Sequence, residues 1–132
     1  MGAWGFGSFE NDDAMDFMDE LSESDSISVV MSALDDALSA DYLEMPEASA
    51  AIVAAEVLAA KNLRPALDLP EDLAAWAQRT HVRLSETILN KAQRVVSRIA
   101  TDSELNDEWS ESDASDQWQA VLSDLRERLD AN

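Results

Sequence analysis

Glycine is absent from this chain after position 7, and no other feature of the sequence constrains the fold as strongly. The only prolines are Pro46, Pro65 and Pro70. β-Sheets need tight turns, and tight turns draw heavily on glycine, proline and asparagine–glycine pairs. The sequence therefore predicts an all-α protein.

Apolar side chains recur three and four positions apart along most of the chain, which is the spacing of an amphipathic helix. This pattern predicts one domain, residues 1–132, built as a bundle of about six helices behind an ordered glycine-rich N-terminal segment. The predicted helices cover residues 12–21, 26–41, 46–62, 70–80, 83–100 and 113–130. Between the last two, the capping-box spacing of Thr101 and Glu104 predicts the start of a short helix that contains Trp109.

The predicted helix at 46–62 differs from the others because seven of its residues are alanine. A helix that is apolar on almost every side is usually buried. Alanine also lets neighbouring helices approach closely. We expect this helix to be the central element of the bundle.

The chain carries a formal net charge of −19. Residues 1–60 hold 14 acidic side chains and no lysine or arginine, whereas residues 61–100 hold seven basic and four acidic ones. Such a field repels nucleic acid and anionic membranes, because binding to phosphate requires basic groups that displace counterions. It attracts basic proteins, although solubility or adaptation to salt would also explain the acidity.

Several classes of site have no support in the sequence. The chain has no cysteine, so it has no disulfide and no thiolate metal site. It lacks a phosphate-binding loop, a dinucleotide fingerprint and a zinc-protease motif. We therefore assign no catalytic residue and no cofactor. The absence of a secretory signal and of a long apolar run predicts a cytoplasmic protein.

The first residues carry a family resemblance. The stretch WGFGSFENDDAMDF, residues 4–17, resembles the start of a family of small, mostly bacterial proteins catalogued as domain of unknown function 4259. The matching positions are Trp4, Gly5, Gly7, Phe9, Asn11, Asp12, Ala14, Asp16 and Phe17. Residues 54–60, 69–76, 103–109 and 118–129 are also similar to the family, so the resemblance covers nearly the whole chain. It implies no reaction, substrate or cofactor.

The glycines around Trp4 predict a sharply folded segment, because glycine permits positive φ angles and close approach of the backbone. We expect this segment to bury Trp4 and Phe9 in the helical body. Asn11 would then cap the first helix.

The same segment is also a candidate binding site. In this interpretation, glycine N–H groups and nearby carboxylates line a ligand pocket. Asp12 and Asp16 are four positions apart on one helical face, and their oxygens are ligands of the kind that calcium or magnesium accepts. Carboxylates are also typical of a first helical turn, where they interact favourably with the helix dipole.

Glu56 interrupts the alanine-rich helix. An unpaired buried carboxylate is costly, so the sequence predicts an ion pair with an arginine such as Arg94 or Arg98, or a hydrogen bond to the glycine-rich segment. The alternative is a general base in a pocket. Trp109, on the short helix, is the predicted contact for a partner, because tryptophan is a frequent interface anchor.

The sequence thus favours a non-enzymatic protein-binding module, immunity-like or regulatory, for a basic partner. One alternative is a small-molecule or divalent-metal-binding protein, including an enzyme, with its site at the glycine-rich segment and Glu56. Another is an assembly component whose alanine-rich helix or tryptophans form a homodimer seam. The oligomeric state is not predicted.

Overall fold

The structure is a computed structural model that describes residues 5–24, 26–81 and 83–130. Within these ranges the chain forms seven α-helices and no β-strand, which confirms the all-α prediction. The helices are α1 (Asp12–Ser22), α2 (Ser28–Ser39), α3 (Met45–Lys61), α4 (Glu71–Arg79), α5 (Glu86–Thr101), α6 (Glu104–Trp109) and α7 (Ser115–Arg128). The short predicted helix is present as α6.

Helix α3 is the centre of the bundle, as its alanines predict. It packs against each of the other six helices that the structure describes. Eleven of its 17 residues are buried, including Glu56. The chain's own helices thus cover most of α3, and the homodimer seam stays a prediction.

Three of the seven described helices, α1, α5 and α6, begin after a side chain that accepts a backbone hydrogen bond. The Asn11 side chain accepts from the Ala14 N–H at 2.7 Å, so α1 begins where the sequence predicts. Helix α5 begins at Glu86, three residues later than predicted, because Ser85 caps it and accepts from the Ile88 N–H at 3.2 Å. A serine ahead of an acidic residue is a strong N-terminal signal.

The predicted capping box of α6 is wrong. Thr101 is the last residue of α5, and its hydroxyl donates to the Ser97 carbonyl at 2.9 Å. Ser103 caps α6 instead, since its side chain accepts from the Asn106 N–H at 3.0 Å. Glu104 accepts from the backbone N–H of Met45 at 2.7 Å and so satisfies a donor at the start of α3.

Polar side chains join the ends of neighbouring helices. Lys61, at the end of α3, donates to the carbonyls of Ala77 and Thr80 at 2.7 and 2.5 Å. The indole N–H of the fully buried Trp76 donates to the Ser24 carbonyl at 2.7 Å. Carbonyls at helix ends lack partners within the helix, so these bonds hold α4 to α3 and to the chain that follows α1. No described helix combines the length and the hydropathy needed to cross a membrane.

Candidate functional site

A surface groove of about 450 Å³ lies beside the buried Glu56 of α3. Its walls come from the N-terminal turn segment (residues 5–11), the connecting loop (residues 62–70) and helix α7. Two of the predicted site residues, Gly7 and Glu56, line this groove together with Glu10. The structure thus brings the glycine-rich segment and Glu56 together, although 48 residues separate Ser8 from Glu56.

The N-terminal turn segment is closed by two hydrogen bonds. The Gly7 N–H donates to the Glu10 carboxylate at 3.0 Å, and the Glu10 N–H donates to the Gly7 carbonyl at 3.2 Å. Neither Gly5 nor Gly7 has a positive φ, so that part of the prediction is wrong for these two glycines. A Cβ at either position would meet the flexible Glu10 carboxylate of the same segment, which would have to move aside, and the expected close approach to the helical body stays a prediction.

The sequence predicts that two aromatic residues near the N-terminus, Phe9 and Trp4, are buried. Phe9 is buried in the hydrophobic core, as expected, with 6% of its surface exposed. Trp4 lies outside the described residues, so its predicted burial stays a prediction.

Glu56 forms a buried ion pair, but its partner differs from the expected ones. One carboxylate oxygen accepts from Arg128 Nη1 at 2.8 Å, and the other accepts from the Ser8 hydroxyl at 2.5 Å and from Arg128 Nη2 at 3.3 Å. The predicted ion pair and the predicted bond to the N-terminal segment thus occur together. The prediction of Arg94 or Arg98 as the partner is wrong.

The two expected arginines of α5 lie elsewhere: Arg98 contacts the end of α2, and Arg94 is exposed. Arg98 donates to the carbonyls of Ala37 and Leu38 at 2.7 and 3.2 Å and so satisfies the end of α2. A single sequence gives no sign that an arginine of α7, 72 residues from Glu56, occupies the position instead.

Arg128 contacts two carboxylates in a group of side chains that we call the Glu56 cluster. Its members are Ser8, Glu56, Asp124 and Arg128. The Arg128 Nε donates to Asp124 at 2.8 Å. Burial lowers the pKa of Arg128, but the hydrogen bonds and charges of Glu56 and Asp124 outweigh burial, and the net shift is upward. The guanidinium therefore keeps its charge beside two carboxylates.

The groove as a whole is acidic. Glu10, Asp68, Glu56 and Asp124 line it with Arg128 as the single basic residue, which gives a formal charge of −3. Both oxygens of Glu56 already accept hydrogen bonds from Arg128 and Ser8. This geometry suits a side chain that holds the N-terminal turn segment against α7 better than one that removes a proton from a substrate.

The two aspartates predicted as metal ligands are exposed on α1. Between them, Asp13 has a raised pKa, first because of burial and then because of the negative charges of Asp16 and Asp12. The part of the chain that the structure describes contains no group of three or more acidic or histidine side chains arranged to hold a metal ion. Asn11 acts as the cap of α1.

Trp109 is half-buried and stacks on Trp118, with ring centroids 6.4 Å apart and an interplanar angle of 14°. The two rings border a cavity of about 20 Å³ that Gly5 and Phe6 also line. One face of Trp109 therefore contacts its own chain. Its predicted role as a partner contact stays a prediction.

Sequence reasoning did not predict that the connecting loop exposes two leucines. Leu63 and Leu67 are 89% and 109% exposed, and they are the most exposed large apolar residues that the structure describes. The available signal was the stretch LRPALDL, which places three leucines in a segment broken by a proline.

Fold and groove together define an all-α acidic domain with a charged surface groove beside a buried ion pair. The family model described as "Domain of unknown function (DUF4259)" matches residues 2–121, and the chain belongs to this family. The match includes Gly7, Ser8, Glu10 and Glu56, whereas Arg128 follows it. No curated protein and no solved structure matches the chain.

Proposed function

We propose that this protein is a non-enzymatic protein-binding module, immunity-like or regulatory, for a basic partner. The formal net charge of −19 carries the proposal. A field of this strength draws a basic protein towards the surface, speeds their encounter and repels acidic competitors. The groove adds a concave acidic surface on which a cationic group can be held.

The engagement of Glu56 supports binding over catalysis. Its carboxylate is 1% exposed and already accepts bonds from Arg128 and Ser8. Removing Arg128 would leave a buried charge uncompensated, which is strongly destabilising. We therefore assign this side chain to the framework of the groove.

Affinity capture from the source cells tests the proposal. The immobilised protein is exposed to lysate at low salt and washed at raised salt, and an unrelated protein of similar size and net charge is the control. We expect basic proteins to be enriched over the control at low salt and released at raised salt, because screening weakens exposed charge interactions. If no protein is enriched over the control at low salt, the proposal fails.

A second candidate function is small-molecule or divalent-metal binding. The groove favours it, because about 450 Å³ beside Gly7 and Glu56 is enough volume for a small ligand. A thermal-shift screen with divalent cations and metabolites tests this candidate. A ligand of the groove raises the melting temperature of the native protein and does so less in the Asp68→Asn variant. A flat profile across the screen rejects it.

A further inference from the structure

The connecting loop exposes apolar side chains next to the acidic groove. Leu67 lines the groove and is fully exposed, and Phe6, 39% exposed, lines it from the N-terminal turn segment. Leu63, four residues before Leu67, is 89% exposed but lines a separate depression beside Ala74 of α4. Single exposed apolar residues are ordinary, but two of them on the walls of one groove are typical of an interaction surface.

The connecting loop begins with a strained backbone at Leu63. Helix α3 ends in a Schellman motif, in which the Leu63 N–H donates to the Ala60 carbonyl at 3.0 Å and the Arg64 N–H donates to the Ala59 carbonyl at 2.9 Å. Leu63 has a φ of 66°, in the left-handed region that favours glycine. The left-handed residue ends α3 and so sets the path of the loop that carries Leu67 to the groove.

The charges of the groove select the partner's chemistry. Glu10 and Asp68 lie on its walls, and the Glu56 cluster, with two carboxylates and one guanidinium, adds one further negative charge. A lysine or arginine side chain has an aliphatic stem and a cationic head. Its stem would contact Phe6 and Leu67 while its head approaches the carboxylates.

We propose that the groove and the connecting loop together form a docking surface for a basic segment of another protein. One lysine or arginine of that segment occupies the groove, and an apolar neighbour packs on the exposed Leu67. The inference rests on the proposed function for the basic partner, and it adds the surface and the residues that make the contact.

The test uses ¹⁵N-labelled protein and a capped hexapeptide of alternating leucine and arginine. The matched probe contains citrulline, which keeps the shape of arginine without its charge. We expect the arginine peptide to shift the amide resonances of residues 6–10, 63–68 and 117–128. The citrulline peptide should bind at least about tenfold more weakly, because it cannot pair with the carboxylates.

Two double variants separate the groove from the general field. Leu67→Ser with Asp68→Asn removes one apolar and one acidic contact from the groove wall. Met15→Ser with Asp19→Asn makes the same chemical change on exposed positions of α1, outside the groove. We expect the groove variant to weaken the arginine peptide about tenfold and the α1 variant to weaken it less than about twofold.

Each contrary outcome has a distinct meaning. Shifts spread evenly over the acidic surface, with equal effects of the two double variants, would overturn the docking surface and leave the basic-partner proposal standing. Equal affinity for the citrulline peptide would overturn the role of the cation. If the arginine peptide fails to bind at low salt, the docking surface is overturned, whereas the basic-partner proposal is decided separately by the affinity capture.

Discussion

At the scale of the single residue, the backbone conformation of the exposed Leu63 lowers the stability of the protein. Its φ of 66° is one that glycine adopts without the steric cost that a Cβ imposes. Since the side chain is 89% exposed, removing it sacrifices little buried surface. The sequence alone does not reveal this strain, because it depends on where α3 ends.

We expect Leu63→Gly to raise the free energy of unfolding by about 1 kcal/mol, because it relieves the left-handed strain. Leu63→Ala keeps the Cβ and should bring no comparable gain. Urea denaturation of both variants and the native protein measures the difference. A glycine variant no more stable than the alanine variant would show that the backbone is not strained.

Residue-level predictions from the sequence succeeded where the cause was local. Asn11 caps α1 because its side chain reaches an N–H three residues away. The need of Glu56 for a partner followed from burial alone, but the identity of Arg128 required the spatial order of the helices. The burial of Trp4 and the functional roles of Gly5, Asp12 and Asp16 stay predictions.

At the scale of the helix, composition predicted α3 better than it predicted the helix ends. Seven alanines among apolar neighbours are a strong signal for a central helix. The boundary between α5 and α6 depends on competition among closely spaced hydroxyl residues. In the structure Ser103 is the cap of α6. Its hydroxyl donates to the Ile99 carbonyl at 2.7 Å and accepts from the Asn106 N–H.

Substitution of the two hydroxyl residues tests this boundary. Ser103→Ala should lower the free energy of unfolding by about 1–2 kcal/mol, because a buried cap is lost. Thr101→Ala removes an exposed hydroxyl and should change it by less than about 0.5 kcal/mol. Chemical denaturation monitored by circular dichroism gives both values. A larger loss for Thr101→Ala than for Ser103→Ala would restore the original capping box.

At the scale of the whole molecule, self-repulsion opposes folding. The formal net charge of −19 brings like charges together when the chain becomes compact. Asp13 shows the effect locally, since the charges of Asp16 and Asp12 add to burial in raising its pKa. That the full range 1–132 is one domain stays a prediction, although the described helices share one hydrophobic core.

Salt should therefore stabilise this protein. We expect the melting temperature to rise when sodium chloride is increased from about 50 to about 500 mM, because the Debye length becomes shorter than the spacing of most surface charges. Potassium chloride at equal ionic strength should give the same rise if the effect is screening. A fall in melting temperature would mean that attractive surface pairs outweigh the repulsion.

The groove exists because the Glu56 cluster holds the N-terminal turn segment, α3 and α7 together. The matched comparison is the ion pair of Lys91 and Asp35, whose N–O distance of 2.7 Å is close to the 2.8 Å between Arg128 and Glu56. The Asp35 side chain, however, is 59% exposed. The Glu56 side chain is 1% exposed. Removing one partner of a buried ion pair strongly lowers the free energy of unfolding, whereas an exposed ion pair contributes little to it.

Double-mutant cycles on these two pairs test this central claim most directly. Glu56→Gln and Arg128→Gln, singly and together, should give a coupling free energy of about 2 kcal/mol or more in urea denaturation. The cycle of Lys91→Gln and Asp35→Asn should give less than about 1 kcal/mol. A Glu56–Arg128 coupling no larger than that of the exposed pair would contradict the account.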